Sequence, residues 1–162
     1  MTINDILARI RNHNDCKVFA PSGLPNSGVG EIIPDDVLEF YRVCGGIEFF
    51  GGNSPYAPPI VAPSKFCRAN PVIRKKEMKD DISFHWYICA SNGNQHFTID
   101  LAPERLGRCY DSFWDCHAVQ GSQSIIAMSF TELLSGILES NGKLLYWNKP
   151  EFPAYGDAYK DV

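Results

Sequence analysis

Residues 33–50 read IPDDVLEFYRVCGGIEFF, and this stretch decides how the rest of the chain is laid out. Pro34 has the preset φ of a first helical residue, where its missing N–H costs nothing. Asp35 and Asp36 place negative charge at the positive end of the helix dipole, so a helix starts there. Val37, Leu38, Tyr41 and Cys44 then form one apolar stripe at helical spacing. Gly45 or Gly46 is expected to take the left-handed conformation that ends a helix without steric cost. IEFF follows as an apolar strand with no polar linker before it, so the helix must lie back against the sheet that it feeds.

Upstream, Thr2 and Asp5 make a cap-like pair, and Ile3, Ile6, Leu7 and Ile10 recur at helical spacing, which predicts a first helix over residues 2–13. Residues 14–31 read as loop. Their GLPNSGVGE segment is no phosphate-binding Walker loop, because Gly30 is followed by Glu31 and not by Lys-Ser/Thr. Downstream, GGNSPYAPP is a turn-rich loop, and residues 63–70 predict a short helix stopped by Pro71. A mixed-charge segment, NPVIRKKEMKDD, follows. SFHWYICA and QHFTIDL alternate apolar and polar residues with period two on either side of SNGN, whose Asn-Gly pair favours a tight hairpin turn. GRCYDSF and SIIAM predict two more strands. Ser129 and Glu132 have the spacing of a capping box, and Phe130, Leu133, Leu134, Ile137 and Leu138 repeat helically up to an Asn141-Gly142 stop. The tail KLLYWNKPEFPAYGDAYKDV is rich in proline and aromatic residues and reads as tied to the surface. With no internal repeat and no linker, residues 1–162 are expected to form one α+β domain, a central, mainly antiparallel, twisted sheet of five or six strands with helices packed on it.

Composition narrows the function. A chain of 162 residues with 10 Phe, 7 Tyr and 3 Trp can build a core without metal or disulfide staples. The first fifteen residues carry acids among their apolar positions, so we expect no export signal, a cytoplasmic location and six reduced cysteines. No apolar run approaches the roughly 20 residues of a membrane span, and no membrane contact is expected. A net charge of -4 argues against nucleic acid as partner and fits a cationic protein better.

Chemistry-bearing residues are sparse. Cys109, Cys116 and His117 form the one Cys/His cluster in the sequence, but without the paired knuckles of a zinc site, so no metal or cofactor is expected. No nucleophile elbow is present, and His13, His85, His96 and His117 are scattered; His85 and His96 fall on the two arms of the predicted hairpin. Asp35 with Asp36, Asp80 with Asp81, and Asp157 with Asp161 read as helix start, loop and tail. The patch that invites a binding role is YDSFWDCH, residues 110–117, where acids and aromatics interleave. Aromatic side chains dominate interface hot spots and carboxylates speed encounter with a basic partner. Asp111, Trp114 and Asp115 are the candidate contacts, with Tyr56 in the proline-bearing loop a further one, while Tyr110 and Phe113 read as sheet core.

The order of these motifs resembles the SUKH superfamily, which includes the fungal cell-wall synthesis regulator and many bacterial immunity proteins. Ile33-Pro34, Phe40-Tyr41-Arg42, Gly45-Gly46, Ile99-Asp100 and Ser129-Phe130 match positions of its pattern, with Cys44 where Asn is usual. The resemblance implies a SUKH-like α+β fold and a non-catalytic protein-binding role, that of an immunity protein neutralising a cognate toxin. A regulatory scaffold of the fungal type, or a hydrolase, stays open as the alternative, as does the oligomeric state.

Overall fold

The computed structural model describes residues 1–160 and Val162; Asp161 lies outside the described residues. In chain order the regular elements are α1 (Ile3–Arg11), β1 (Lys17–Val18), α2 (Asp35–Val43), β2 (Ile47–Glu48), α3 (Ala69–Ile73), β3 (Trp86–Ser91), β4 (His96–Asp100), β5 (Cys109–Asp111), β6 (Ile125–Ala127) and α4 (Phe130–Ser140). The fold is α+β. Strands β3-β4-β5-β6 form an antiparallel sheet in that order, and β1 pairs with β2 in a two-stranded one.

The helices begin close to where the sequence says, except that Pro34 stands outside α2 as its N-cap, at ψ 147°, and Asp35 is the first helical residue. Thr2 and Asp5 cap α1 reciprocally, with Asp5 N donating to Thr2 Oγ1 at 3.1 Å and Thr2 N to Asp5 Oδ2 at 2.8 Å. At α4 only half of the expected box forms. Ser129 Oγ accepts from Glu132 N at 3.1 Å, but the Glu132 carboxylate reaches one residue further back, to Met128 N. Asn141, at φ 52°, supplies the left-handed end of α4.

The Gly-Gly after α2 works differently from the expectation. Cys44 already leaves the helix extended, and Gly46 sits at φ 137°, outside the left-handed helical well. A Cβ on Gly46 would come within 2.7 Å of Ile60 O, and one on Gly45 would overlap Ala20 O. These glycines let three backbone segments approach closely: Gly45 N donates to Phe19 O and Phe19 N to Gly46 O, while Ile47 and Ile60 exchange both of their bonds.

Three other expectations are corrected. Pro71 lies inside α3 because the first turn of a helix needs no N–H at that position. IEFF forms only the two-residue β2 before a turn of 3₁₀ helix at Phe50–Gly52. Residues Ile82–His85 are also a 3₁₀ turn, so His85 precedes β3 and does not face His96, whose partner across the hairpin is Ser91.

One face of the four-stranded sheet packs on α1, α2 and α4, with Tyr87, Phe97, Ile99 and Cys109 meeting Ile6, Phe40, Phe130 and Leu134 in one buried cluster. Phe40 stands edge-on to both Tyr41 and Phe130. The opposite face is covered by the C-terminal tail: Tyr155, Ala158 and Tyr159 close over Trp86, Tyr110 and Ile125. Both sheet edges are taken up. Val61 N donates to Cys89 O and Ile88 N to Cys67 O along β3, while Ile125 N donates to Gly156 O and Ala158 N to Gln123 O along β6. Covered edges protect a sheet against pairing with other chains.

Candidate functional site

Three loops meet at one end of the sheet and enclose an open depression of about 530 Å³, lined among others by Asn53, Tyr56, Asn92, Asn94, Gln95 and Phe113. The structure thus brings Tyr56 and Phe113, separate in sequence, to one depression together with the β3–β4 turn, while Asp111, Trp114 and Asp115 do not line it. Tyr56 is 40% exposed and Trp114 57%. Asp115 is exposed beside Trp114.

The walls are held by backbone and buried polar groups. Asn92 N donates to Gln95 O, Gln95 N donates to Asn92 Oδ1 at 3.0 Å, and Gly93 N to Ser91 Oγ, which fixes the hairpin turn. Trp114 N donates to Asn94 O and Ser112 N to His96 O, tying the 111–115 loop to that turn. On the far wall, Ser54 Oγ donates to Gly142 O at 2.6 Å and accepts from Tyr56 N. Ring centroids of Phe113 and Trp114 lie 6.2 Å apart.

Asp111 is placed differently from Asp115. It ends β5, half-buried, and its Oδ1 accepts from Gln95 Nε2 at 2.7 Å and from Phe113 N at 3.3 Å. Burial pushes its carboxyl up, against the pull of those two bonds. Its backbone O also accepts from the Gln123 amide. Asp111 therefore orders the loop that carries Trp114 and Asp115. Tyr110 is fully buried under the tail, as its sheet-core reading requires, and Phe113 is half-buried.

The Cys/His cluster is dispersed and inward. Cys109 is fully buried, and burial pushes its thiol well up. Cys116 Sγ donates to Asp111 O; burial, then the Asp111 and Asp115 charges, push that thiol up to about 12. Neither is poised as a thiolate nucleophile or ligand. His117 is fully buried, with Nε2 2.6 Å from Asn70 Oδ1 and its backbone O accepting from Arg74 Nε. Burial, then the Arg74 charge, lower its pKa to about 3. Among the described residues no group of three or more His, Cys, Asp or Glu side chains is arranged to hold a metal ion, and all six cysteines are free.

A polar cluster unannounced by the sequence centres on Glu31, from the segment read as loop. Its side chain is fully buried. Oε1 accepts from Gly28 N and Tyr87 Oη at 2.7 Å and from Arg68 Nη2 at 2.9 Å, and His85 Nδ1 lies 2.9 Å from Oε2. Burial alone would raise this carboxyl, but the Tyr87, His85 and Gly28 bonds and the Arg68 charge together hold it below the usual carboxylate range. Arg68 in turn lies 4.1 Å over the Phe84 ring. No amphipathic pattern marks Glu31, so periodicity could not find it. A second buried acid, Asp100, receives Trp86 Nε1, Tyr110 Oη and Arg105 Nε on one oxygen and Ala102 N on the other. Asp36 bonds the start of α4 through Thr131 N and Oγ1.

No helix among the described residues is long and apolar enough to cross a membrane. No protein-family model matches the chain. No solved structure matches it either. Over its whole length the chain is 39% identical to the protein named Immunity protein YokJ of Bacillus subtilis (strain 168), in an alignment of 163 residues that covers 98% of that protein. Identity at that level across both full lengths leaves no room for a merely local resemblance, and the chain belongs to the family of this immunity protein.

Proposed function

We propose that the chain is a non-catalytic immunity protein that neutralises a cognate toxin domain in the cytoplasm by binding it and masking its active surface. The whole-length identity to an immunity protein carries this reading. The order of motifs from Ile33-Pro34 to Ser129-Phe130 favours placing that family within the SUKH superfamily, with the whole chain acting as one domain. The continuous buried cluster from Ile3 to Tyr146 supports the latter. The thiols of buried Cys109 and half-buried Cys116, both pushed up by desolvation, support binding over catalysis.

Trp114, Asp115 and Tyr56 are the proposed contacts, and Asp111 sets the loop that presents two of them. An exposed carboxylate acts mainly on encounter, and with a chain charge of -4 Asp115 favours approach by a basic toxin surface. A large aromatic acts mainly on residence time. The test is protection in living cells: each open reading frame flanking this gene is expressed from an inducible promoter with and without this chain, and one that kills is taken as the toxin. Growth restored by the chain, together with a stable complex of the two purified proteins, is the expected result. A toxin that kills equally in both cultures, with no complex formed, overturns the reading.

A further inference from the structure

The depression differs in chemistry from the rest of the acidic chain. Asn53, Asn92, Asn94 and Gln95 line it with Tyr56 and Phe113, the buried Gln95 amide being bonded to Asp111, and among the described residues no carboxylate, lysine or arginine lines it. Asp111, behind the lining residues Gln95 and Phe113, is turned inward to them, and the Glu48 carboxylate lies beside the lining residue Gly52 without itself lining the depression. Asn53 and Asn94 side chains and the Tyr56 hydroxyl enter none of the hydrogen bonds formed among the described residues, so they meet water. The Asn53 and Asn94 amides each offer two N–H donors and a carbonyl acceptor, enough to pair with the one donor and one acceptor of a peptide unit, whereas Asn92 Oδ1 and Gln95 Nε2 are already bonded within the chain. Trp114 N to Asn94 O, Gln95 N to Asn92 Oδ1 and Ser54 Oγ to Gly142 O fix the walls before any partner arrives. Preorganised groups lose less entropy on binding.

We propose that this depression holds an uncharged, protruding loop of the cognate toxin, gripping its main chain with the Asn53, Asn92 and Asn94 amides and covering its apolar side chains with Tyr56 and Phe113. The proposal rests on the immunity reading. It divides the interface by chemistry: Asp115, exposed two residues beyond Phe113, serves the encounter, whereas the depression discriminates through neutral hydrogen bonds. A neutral lining neither attracts a basic segment nor compensates its charge once water is excluded, and it suits the backbone of a polar or small-residue loop. A glycan would also meet amides and aromatics, but membership in an immunity-protein family favours a protein occupant.

The substitution Asn94→Asp separates the alternatives by sign. It keeps the shape and removes the amide donors while adding negative charge. The full chain is titrated with the purified, catalytically inactivated toxin domain. Asn94→Asp and Asn94→Ala should each weaken the complex by about fivefold or more through faster dissociation, the scale of a lost hydrogen bond. The side-chain amide resonances of Asn53, Asn92 and Asn94 in the wild-type chain should shift on binding. Raising salt from about 50 mM to about 500 mM should slow association and leave dissociation nearly constant. An Asn94→Asp chain that binds more tightly overturns the proposal in favour of a basic occupant. So do amide resonances that stay fixed while the toxin domain binds elsewhere, a result that leaves the immunity reading intact. Shifts of the same resonances by maltohexaose alone also overturn it, in favour of a glycan. A toxin domain that does not bind the wild-type chain removes both readings together.

Discussion

Two polar regions of the molecule use similar residue types to opposite ends. Around Glu31 the carboxylate, a guanidinium, an imidazole and a phenol turn inward, and every oxygen of the acid is engaged by a neighbour. Around Tyr56 and Asn94 the polar groups turn outward on walls that are already fixed, and their hydrogen-bonding capacity faces water. A buried acid with both oxygens engaged contributes stability and specificity of fold, although Arg68 Nε beside it has no partner among the described residues. An unsaturated, rigid cluster is free to contribute recognition. A list of titratable residues would rank the first region higher as a site; the accounting of where each bond goes ranks the second higher.

The difference can be broken most forcefully at Glu31. Glu31→Ala should cost about 3 to 4 kcal/mol of stability, because Arg68 and Tyr87 lose the acid that they bond and the 28–31 turn loses its anchor. Measured by urea unfolding, that loss should leave toxin affinity within a few-fold under conditions where the variant is folded. A stable Glu31→Ala chain with impaired binding would exchange the roles of the two regions.

Acid should reveal the same inward polarity at the far end of the Trp114 loop. His117 has a folded pKa of about 3 against about 6.5 when unfolded. Above about pH 6.5 the group is neutral in both states and has no effect. As pH falls below that value the unfolded chain takes up a proton that the folded chain refuses, so stability drops continuously towards pH 3. Between about pH 7 and pH 5 the loss is about 2 kcal/mol from His117, and His96, also lowered by burial, acts in the same direction. Asp100 and Asp111, which burial raises, work with the opposite sign nearer the carboxylate range. Thermal unfolding across this range should show the slope, and His117→Gln should flatten it.

On the outward side the effects belong to binding. Trp114→Ala should weaken the toxin complex by about 2 kcal/mol, chiefly through faster dissociation, while the melting temperature stays nearly unchanged because this ring packs mainly against Phe113 and water. Asp115→Asn should have the smallest effect, well under about 1 kcal/mol, seen as slower association at low salt. Surface plasmon resonance reads both. An unfolded Trp114→Ala chain would move Trp114 to the inward class.

Local signals account for most of the fold. The Pro-Asp-Asp start of α2, the Thr2–Asp5 cap and the Asn-Gly hairpin are decided within a few residues, and each appears within a residue of where the pattern puts it. Elements set by distant chain were not legible. Residues 82–85 alternate like a strand yet coil into a 3₁₀ turn, where Asp81 accepts from Ser83 N and His85 reaches Glu31. Gly45 and Gly46 looked like a helix end but answer to Ala20 and Ile60, which no local pattern names. The depression was legible in halves: Tyr56 and the Trp114 loop stood out as exposed aromatics, whereas their meeting across Asn92–Gln95 depends on tertiary packing. Asp111 and Asp115 look alike in sequence, and only the fold separates them, through the Gln95 amide and Phe113 N that bond Asp111.

In the reading proposed above, the toxin sits in this depression. Hydrogen–deuterium exchange on the full chain, free and saturated with the inactivated toxin domain, tests it most directly. Slowed exchange in residues 52–56, 92–95 and 112–115, with the tail over Trp86 unchanged, is the predicted footprint; protection confined to the tail or to the 28–31 turn would contradict it.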